Sequence, residues 1–183
     1  GDERLAESDY AGALAAYDQA IEIDPAYAAA HSHRCHVLAL LQDHDAAAAS
    51  CQQAIDLTGD DAESLAYYAI AHLSRGDTHT GLELAEKAVA ADQLNWLAQV
   101  ALAEGHRARG TLADSLSAAE QAVNLAPGIA YAHAVVGDAL LSLNYWDDAK
   151  AEYEQAVAIE PGNGLWLLRL AAWYSDRGDR EEA

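Results

Sequence analysis

The chain has 183 residues, 52% of them apolar and 22% charged, with no phenylalanine or methionine and only 7% aromatic side chains. Thirty acidic residues against ten basic ones give a formal charge of −20, which argues against nucleic-acid binding, because phosphate contacts need a basic face. No run approaches the roughly 18 apolar residues of a membrane-spanning helix, so membrane insertion is not expected either.

The helices predicted from apolar spacing come in pairs. A partial first helix covers residues 1–7, followed by a second helix at about 10–24. Full pairs then lie near 28–41 and 45–58, 62–75 and 78–91, 96–109 and 112–126, and 130–143 and 146–160. A last first-helix is expected at 164–177, with residues 180–183 opening a partner that is cut off. On this reading the domain is a single array: a partial repeat 1–27, repeats 28–61, 62–95, 96–129 and 130–163, and a partial repeat 164–183. A chain that starts and stops inside repeats reads as a segment of something longer. The helix joints carry Arg75-Gly76-Asp77, Arg109-Gly110-Thr111 and Arg177-Gly178-Asp179. Glycine suits the left-handed residue that ends one helix, arginine complements its negative end, and Asp or Thr caps the next. The two Arg-Gly-Asp tripeptides are therefore helix punctuation rather than adhesion motifs.

The pairs keep a step of 34 residues. Ala20, Ala54, Ala88, Ala122 and Ala156 obey it, as do Pro25, Gly59, Gln93, Pro127 and Pro161. Tyr17, Cys51, Ala85, Ala119 and Tyr153 form one further column. Ala13, Ala47, Gly81, Ser115, Ala149 and Ala183 form another, and Gly1, Cys35, Ala69, Ala103, Gly137 and Ala171 a third. Small residues recurring in step imply helix backbones that approach closely, with larger side chains filling the space around each contact. Each unit buries its face against its neighbours, so no single central core is expected.

Residues 9–25 (DYAGALAAYDQAIEIDP) and 145–161 (YWDDAKAEYEQAVAIEP) carry this pattern most fully, and the chain resembles the tetratricopeptide repeat family of bacterial type over its whole length. Gly59 and Gln93 depart from the family's proline, and Cys51, Ala85 and Ala119 from its aromatic. The resemblance implies an all-α fold, a right-handed α-solenoid of antiparallel helix pairs with a 34-residue repeat. It also implies a protein–protein interaction scaffold whose first helices line a concave groove that holds a partner peptide or helix. Carried over by register, the groove residues expected are Tyr67, Ile70 and Leu73, then Leu97, Val100, Glu104 and Arg107, then Tyr131, Asp138 and Leu141. The alternative reading of Leu97, Val100 and Leu141 is packing against a neighbouring first helix. No lysine stands where the family's grip on chaperone tails needs one. The ligand expected is instead apolar with interleaved basic residues, and Tyr67, Ile70 and Tyr131 are the anchors.

Other chemistry is weak. His31, His33, Cys35 and His36 invite a metal assignment, but their registers diverge and no four ligands converge. Neither a metal nor another cofactor is expected. Cys35 and Cys51 read as small buried thiols, with a disulfide conceivable between facing helices. His72 and His106 share one column and read as interior-facing. No nucleophile motif or phosphate loop is present, so the segment is not read as an enzyme. Two lysines beside eight arginines suggest a high-GC or salt-adapted bacterial source, and the default location is cytoplasmic. Two other functional readings stand beside the groove. One is self-assembly through end faces exposing Trp166, Leu170 and Trp173. The other is a regulatory arm of an enzyme encoded elsewhere.

Overall fold

A computed structural model describes residues 9–181, with side chains to Ser175. Ten helices make up the described residues: α1 (Tyr10–Ile23), α2 (Ala28–Leu40), α3 (His44–Thr58), α4 (Ala62–Ser74), α5 (Thr78–Ala91), α6 (Trp96–Arg109), α7 (Leu112–Leu125), α8 (Ala130–Ser142), α9 (Trp146–Ile159) and α10 (Gly164–Glu181). The expected first helix over residues 1–7 lies outside them. Each helix packs on the next, and alternate helices α2, α4, α6, α8 and α10 also touch in succession. The result is an all-α solenoid of helix pairs, with no helix among the described residues long and apolar enough to cross a membrane.

The small columns are the seams of this stack. Ala13, Ala47, Ser115 and Ala149 are fully buried, as are Ala54, Ala88, Ala122 and Ala156. Two columns sixteen residues apart meet across each pair and complement each other in size. Ala69 faces the Ala85 position and Ala103 the Ala119 position, whereas Gly137 gives way to the ring of Tyr153. A β-carbon on Gly137 would lie 2.5 Å from Tyr153 Cε1. In the α2–α3 pair the same two positions are Cys35 and Cys51, which are joined in a disulfide with Cα atoms 5.3 Å apart. They are thus not the free thiols expected, because the close approach that suits two alanines also brings two sulfur atoms within bonding reach.

The joints within pairs repeat as well. Gln42, Gly76, Gly110 and Asn144, 34 residues apart, all have positive φ, from 62° to 87°. Asp9, Asp43 and Asp77 cap the following helices by accepting from the backbone N–H three residues on. Thr111 does not cap in this way. Its hydroxyl turns back, donating to the His106 carbonyl at 3.2 Å, with His106 Nδ1 at 2.9 Å. His72 Nδ1 likewise donates to Asp77 at 2.9 Å, and this bond is the largest cause holding the Asp77 carboxyl below its usual range. The two histidines are latches across the joint. The Arg177-Gly178-Asp179 joint is absent, since α10 runs helical through it. A glycine inside a helix costs only about 1 kcal/mol, which leaves the helix free to continue through it.

Between pairs, a third periodic device ties the loops. His31 Nε2 donates to the Pro25 carbonyl at 3.0 Å, Gln99 Nε2 to that of Gln93 at 3.2 Å, and His133 Nε2 to that of Pro127 at 3.0 Å. Each reaches back six residues to a carbonyl beyond the end of the preceding helix. Leu65, which occupies this position in the next pair, has no such group. There Gly59 takes φ +74° and Asp61 accepts from the N–H of Glu63 and Ser64 instead.

Candidate interaction groove

The first helices α2, α4, α8 and α10 carry a ladder of rings, which Tyr17 of α1 extends. His33 lies 5.6 Å from both Tyr17 and Tyr67, and His36 lies 5.0 Å from Tyr67. The His36 ring also reaches Tyr131 of α8 at 6.2 Å, spanning three repeats. Tyr131 stacks on Trp166 of α10 at 5.9 Å. The solenoid therefore curves tightly enough for side chains from distant repeats to meet across its inner face.

Charged groups are woven through the ladder. The Tyr131 hydroxyl donates to Glu104 Oε1 at 2.7 Å. Asp138 accepts from the Tyr153 hydroxyl at 2.8 Å and pairs with Arg169 at 2.9 Å. The Arg169 guanidinium in turn lies over Trp166, 5.3 Å from its centroid. Burial raises the Glu104 carboxyl above the ordinary carboxylate range, against the opposing pull of the Tyr131 bond. Burial, and then the Glu104 charge, push the Tyr131 phenol well up. His36 is held neutral: burial first, then neighbouring His33, lower its pKa to about 4, and its Nδ1 is buried without a partner. Two carboxylates and two guanidiniums, counting exposed Arg107, share this wall. It can offer aromatic faces and paired hydrogen-bonding groups to a chain laid along it.

The ten residues expected from register divide into two groups. Tyr67, Glu104, Tyr131 and Asp138 are half-buried on the inner wall, and Arg107 is exposed. Ile70, Leu97 and Val100 are only 6%, 2% and 0% exposed and belong to the core shared by successive helices. Leu73 sits half-buried over Gly81, and Leu141 half-buried in a cluster with Tyr153 and Trp173. The tight curvature explains this division, since it folds the apolar register positions into the contacts between first helices. His33, His36, Trp166 and Arg169 complete the wall. A signal for Arg169 was present in the sequence, because it keeps the 34-residue step from His33 and Tyr67.

The histidine–cysteine cluster is dispersed among other partners. His31 bonds Pro25, His33 faces Glu63 at 3.2 Å, and Cys35 is in the disulfide. At the C-terminal end, Trp166 and Trp173 are buried rather than exposed. The Trp173 indole N–H donates to the Trp146 carbonyl at 2.8 Å. The exposed apolar residues of α10 are Leu167, Leu168 and Tyr174.

A stack of helix pairs with a side-chain-lined inner wall and paired charges defines the class of helical repeat scaffolds, which present surfaces to protein partners. A TPR repeat model matches residues 1–42, and tetratricopeptide repeat models match residues 69–130 and 130–163. The chain belongs to the tetratricopeptide repeat family. Among solved structures, TTC0263, a thermophilic TPR protein of Thermus thermophilus, superposes with a TM-score of 0.79 at 15% identity, over 95% of each chain. MamA gives 0.54 at 19% identity over 88% of this chain and 94% of its own. Human IFIT1, solved as a dimer with m7Gppp-AAAA, gives 0.75 at 18% identity over 95% of this chain and 44% of its own. At such identities the likeness is one of fold. No curated protein matches the sequence significantly.

Proposed function

We propose that the chain binds a partner peptide or amphipathic helix along the inner wall formed by α2, α4, α6, α8 and α10. The carrying observation is the ring ladder from His33 to Trp166, with the Glu104, Asp138, Arg107 and Arg169 charges set into it. Structural neighbours with peptide-binding sites support the reading. They are YrrB, a TPR protein with an unusual peptide-binding site, and the first TPR of Spaghetti (RPAP3) bound to the HSP90 peptide SRMEEVD. The ligand is apolar with interleaved basic residues. Aromatic faces take the apolar side chains, while Glu63, Glu104 and the −20 formal charge favour cations on approach.

The test is affinity capture from the source cell, comparing wild type with Tyr67→Ala/Glu63→Lys. Both positions reach the wall without being core, unlike Ile70. Equal capture by a variant of unchanged melting temperature would overturn the proposal. A second reading, end-to-end association of copies, is favoured by the exposure of Leu168 (67%) and Tyr174 (53%) on α10; a constant monomer mass by light scattering across a concentration series refutes it. The Cys35–Cys51 bridge supports work in an oxidising compartment rather than the cytoplasm.

A further inference from the structure

The opposite face holds a cleft that the internal repeats make conspicuous. Helices α5, α6 and α7 border this open space of about 480 Å³. Val89, Leu102 and Ala118 form its apolar wall, Asp114, Ser117 and Gln121 the polar rim on α7, and Gln93, Gln99 and His106 the rim on the side of α6. Leu102 lies roughly 200° around α6 from Glu104, so the cleft opens away from the inner wall.

Leu102 and Ala118 recur at 34-residue steps as Arg34 and Ser50, Tyr68 and Leu84, and Val136 and Glu152. Each other junction has a long or polar side chain at this place. Arg34 Nε donates to Asp18 at 2.7 Å and its Nη1 to Ser50. Tyr68 sits against the His72 ring at 4.7 Å. Glu152 accepts from His133 Nδ1 at 2.7 Å. Of these four junctions, only that of Leu102 and Ala118 brings two short aliphatic side chains together. The acid that partners Arg34 recurs in register, since Glu86 stands on α5 where Asp18 stands on α1. No lysine or arginine lines the cleft.

We propose that this cleft is a docking pocket for an arginine side chain of a protein partner, the intermolecular counterpart of Arg34. The methylene stem lies on Val89, Leu102 and Ala118. The guanidinium donates to Asp114, Ser117 Oγ and the Gln121 carbonyl oxygen, with Glu86 at the position of the intramolecular acid. A chain of formal charge −20 draws such a group in from a distance. The site is independent of the inner-wall reading and can stand without it.

The test titrates the tripeptide Ac-Ala-Arg-Ala-amide into the ¹⁵N-labelled chain, with the citrulline analogue as an uncharged isostere. Saturable shifts confined to α5, α6 and α7 are expected with arginine, and markedly weaker ones with citrulline. Asp114→Asn on the surface should weaken binding roughly two- to fivefold, the range of an exposed ion pair. Leu102→Tyr, which copies the neighbouring Tyr68, should abolish binding without lowering the melting temperature. Tyr67→Ala on the inner wall should leave it intact. Equal shifts with both peptides, shifts mapping outside the cleft, or undiminished binding by Asp114→Asn would each overturn the proposal.

Discussion

Replacing His36 by phenylalanine should remove a large part of the chain's sensitivity to mild acid. The imidazole is packed between Tyr67 and Tyr131, at 5.0 and 6.2 Å, with Nδ1 buried and unpartnered. Its pKa falls from 6.5 to about 4. Because the folded value is the lower one, the unfolded chain takes up the proton first as pH drops. The stability contribution is therefore complete above the unfolded pKa and is lost progressively as pH falls from about 6.5 to about 4. Across the whole interval the loss is about 3 kcal/mol, and between pH 7 and pH 5 it is about 2 kcal/mol. His33 and Glu63, and Glu104 and Tyr131, face the same wall, so the informative quantity is a difference between proteins. Urea unfolding of wild type and His36→Phe at both pH values, with equal m-values, isolates it. Phenylalanine keeps a ring between the two tyrosines and cannot titrate. Wild type should lose about 2 kcal/mol more than the variant on acidification. Parallel losses would mean that the folded imidazole accepts protons as readily as the unfolded one, refuting the burial argument.

Other expectations follow from the seams and joints. Reducing the Cys35–Cys51 disulfide, whose cysteines are sixteen residues apart, should lower unfolding free energy by roughly 3 kcal/mol, read by denaturant titration with and without a dithiol. The Cys35→Ala/Cys51→Ala protein should show no response to the dithiol. Gly137→Ala should cost about 1–3 kcal/mol, because the new β-carbon would lie 2.5 Å from the ring of buried Tyr153, while Gly128→Ala meets nothing within 4 Å and serves as the control in thermal melts. Gln42→Gly should raise stability by up to about 1 kcal/mol, since Gln42 holds φ 62° where the next two joints use glycine; an unchanged or lowered denaturation midpoint contradicts that.

The fold was legible because it is written in register. Columns of Ala, Gly and Ser can recur at a fixed step only if the same backbone contacts recur, and the helix ends fell within a residue or two of their expected places as far as Ile159. The last joint misled. Arg177-Gly178-Asp179 has the composition of Arg75-Gly76-Asp77, yet α10 runs helical through it, since a glycine inside a helix costs only about 1 kcal/mol. The cysteines were ambiguous for a different reason, because a thiol pair and a disulfide both satisfy a small-residue column. At the groove, register names the side of a helix but not the radius of the curve. That radius decided that Ile70, Leu97 and Val100 became core while Tyr67 and Tyr131 stayed on the wall. The back-reaching bonds of His31, Gln99 and His133 were unrecognised, although their common spacing was readable.

The single disulfide also makes the array mechanically unequal along its length. If the chain were pulled from its two ends, the repeats after α3 could extend to their full contour. The segment between Cys35 and Cys51 would stay a closed loop and withhold roughly 50 Å of extension. Tension would thus hold His36, which lies inside that loop, close to its own repeat while the distal repeats lengthen. In a force–extension trace the deficit would vanish on adding a dithiol.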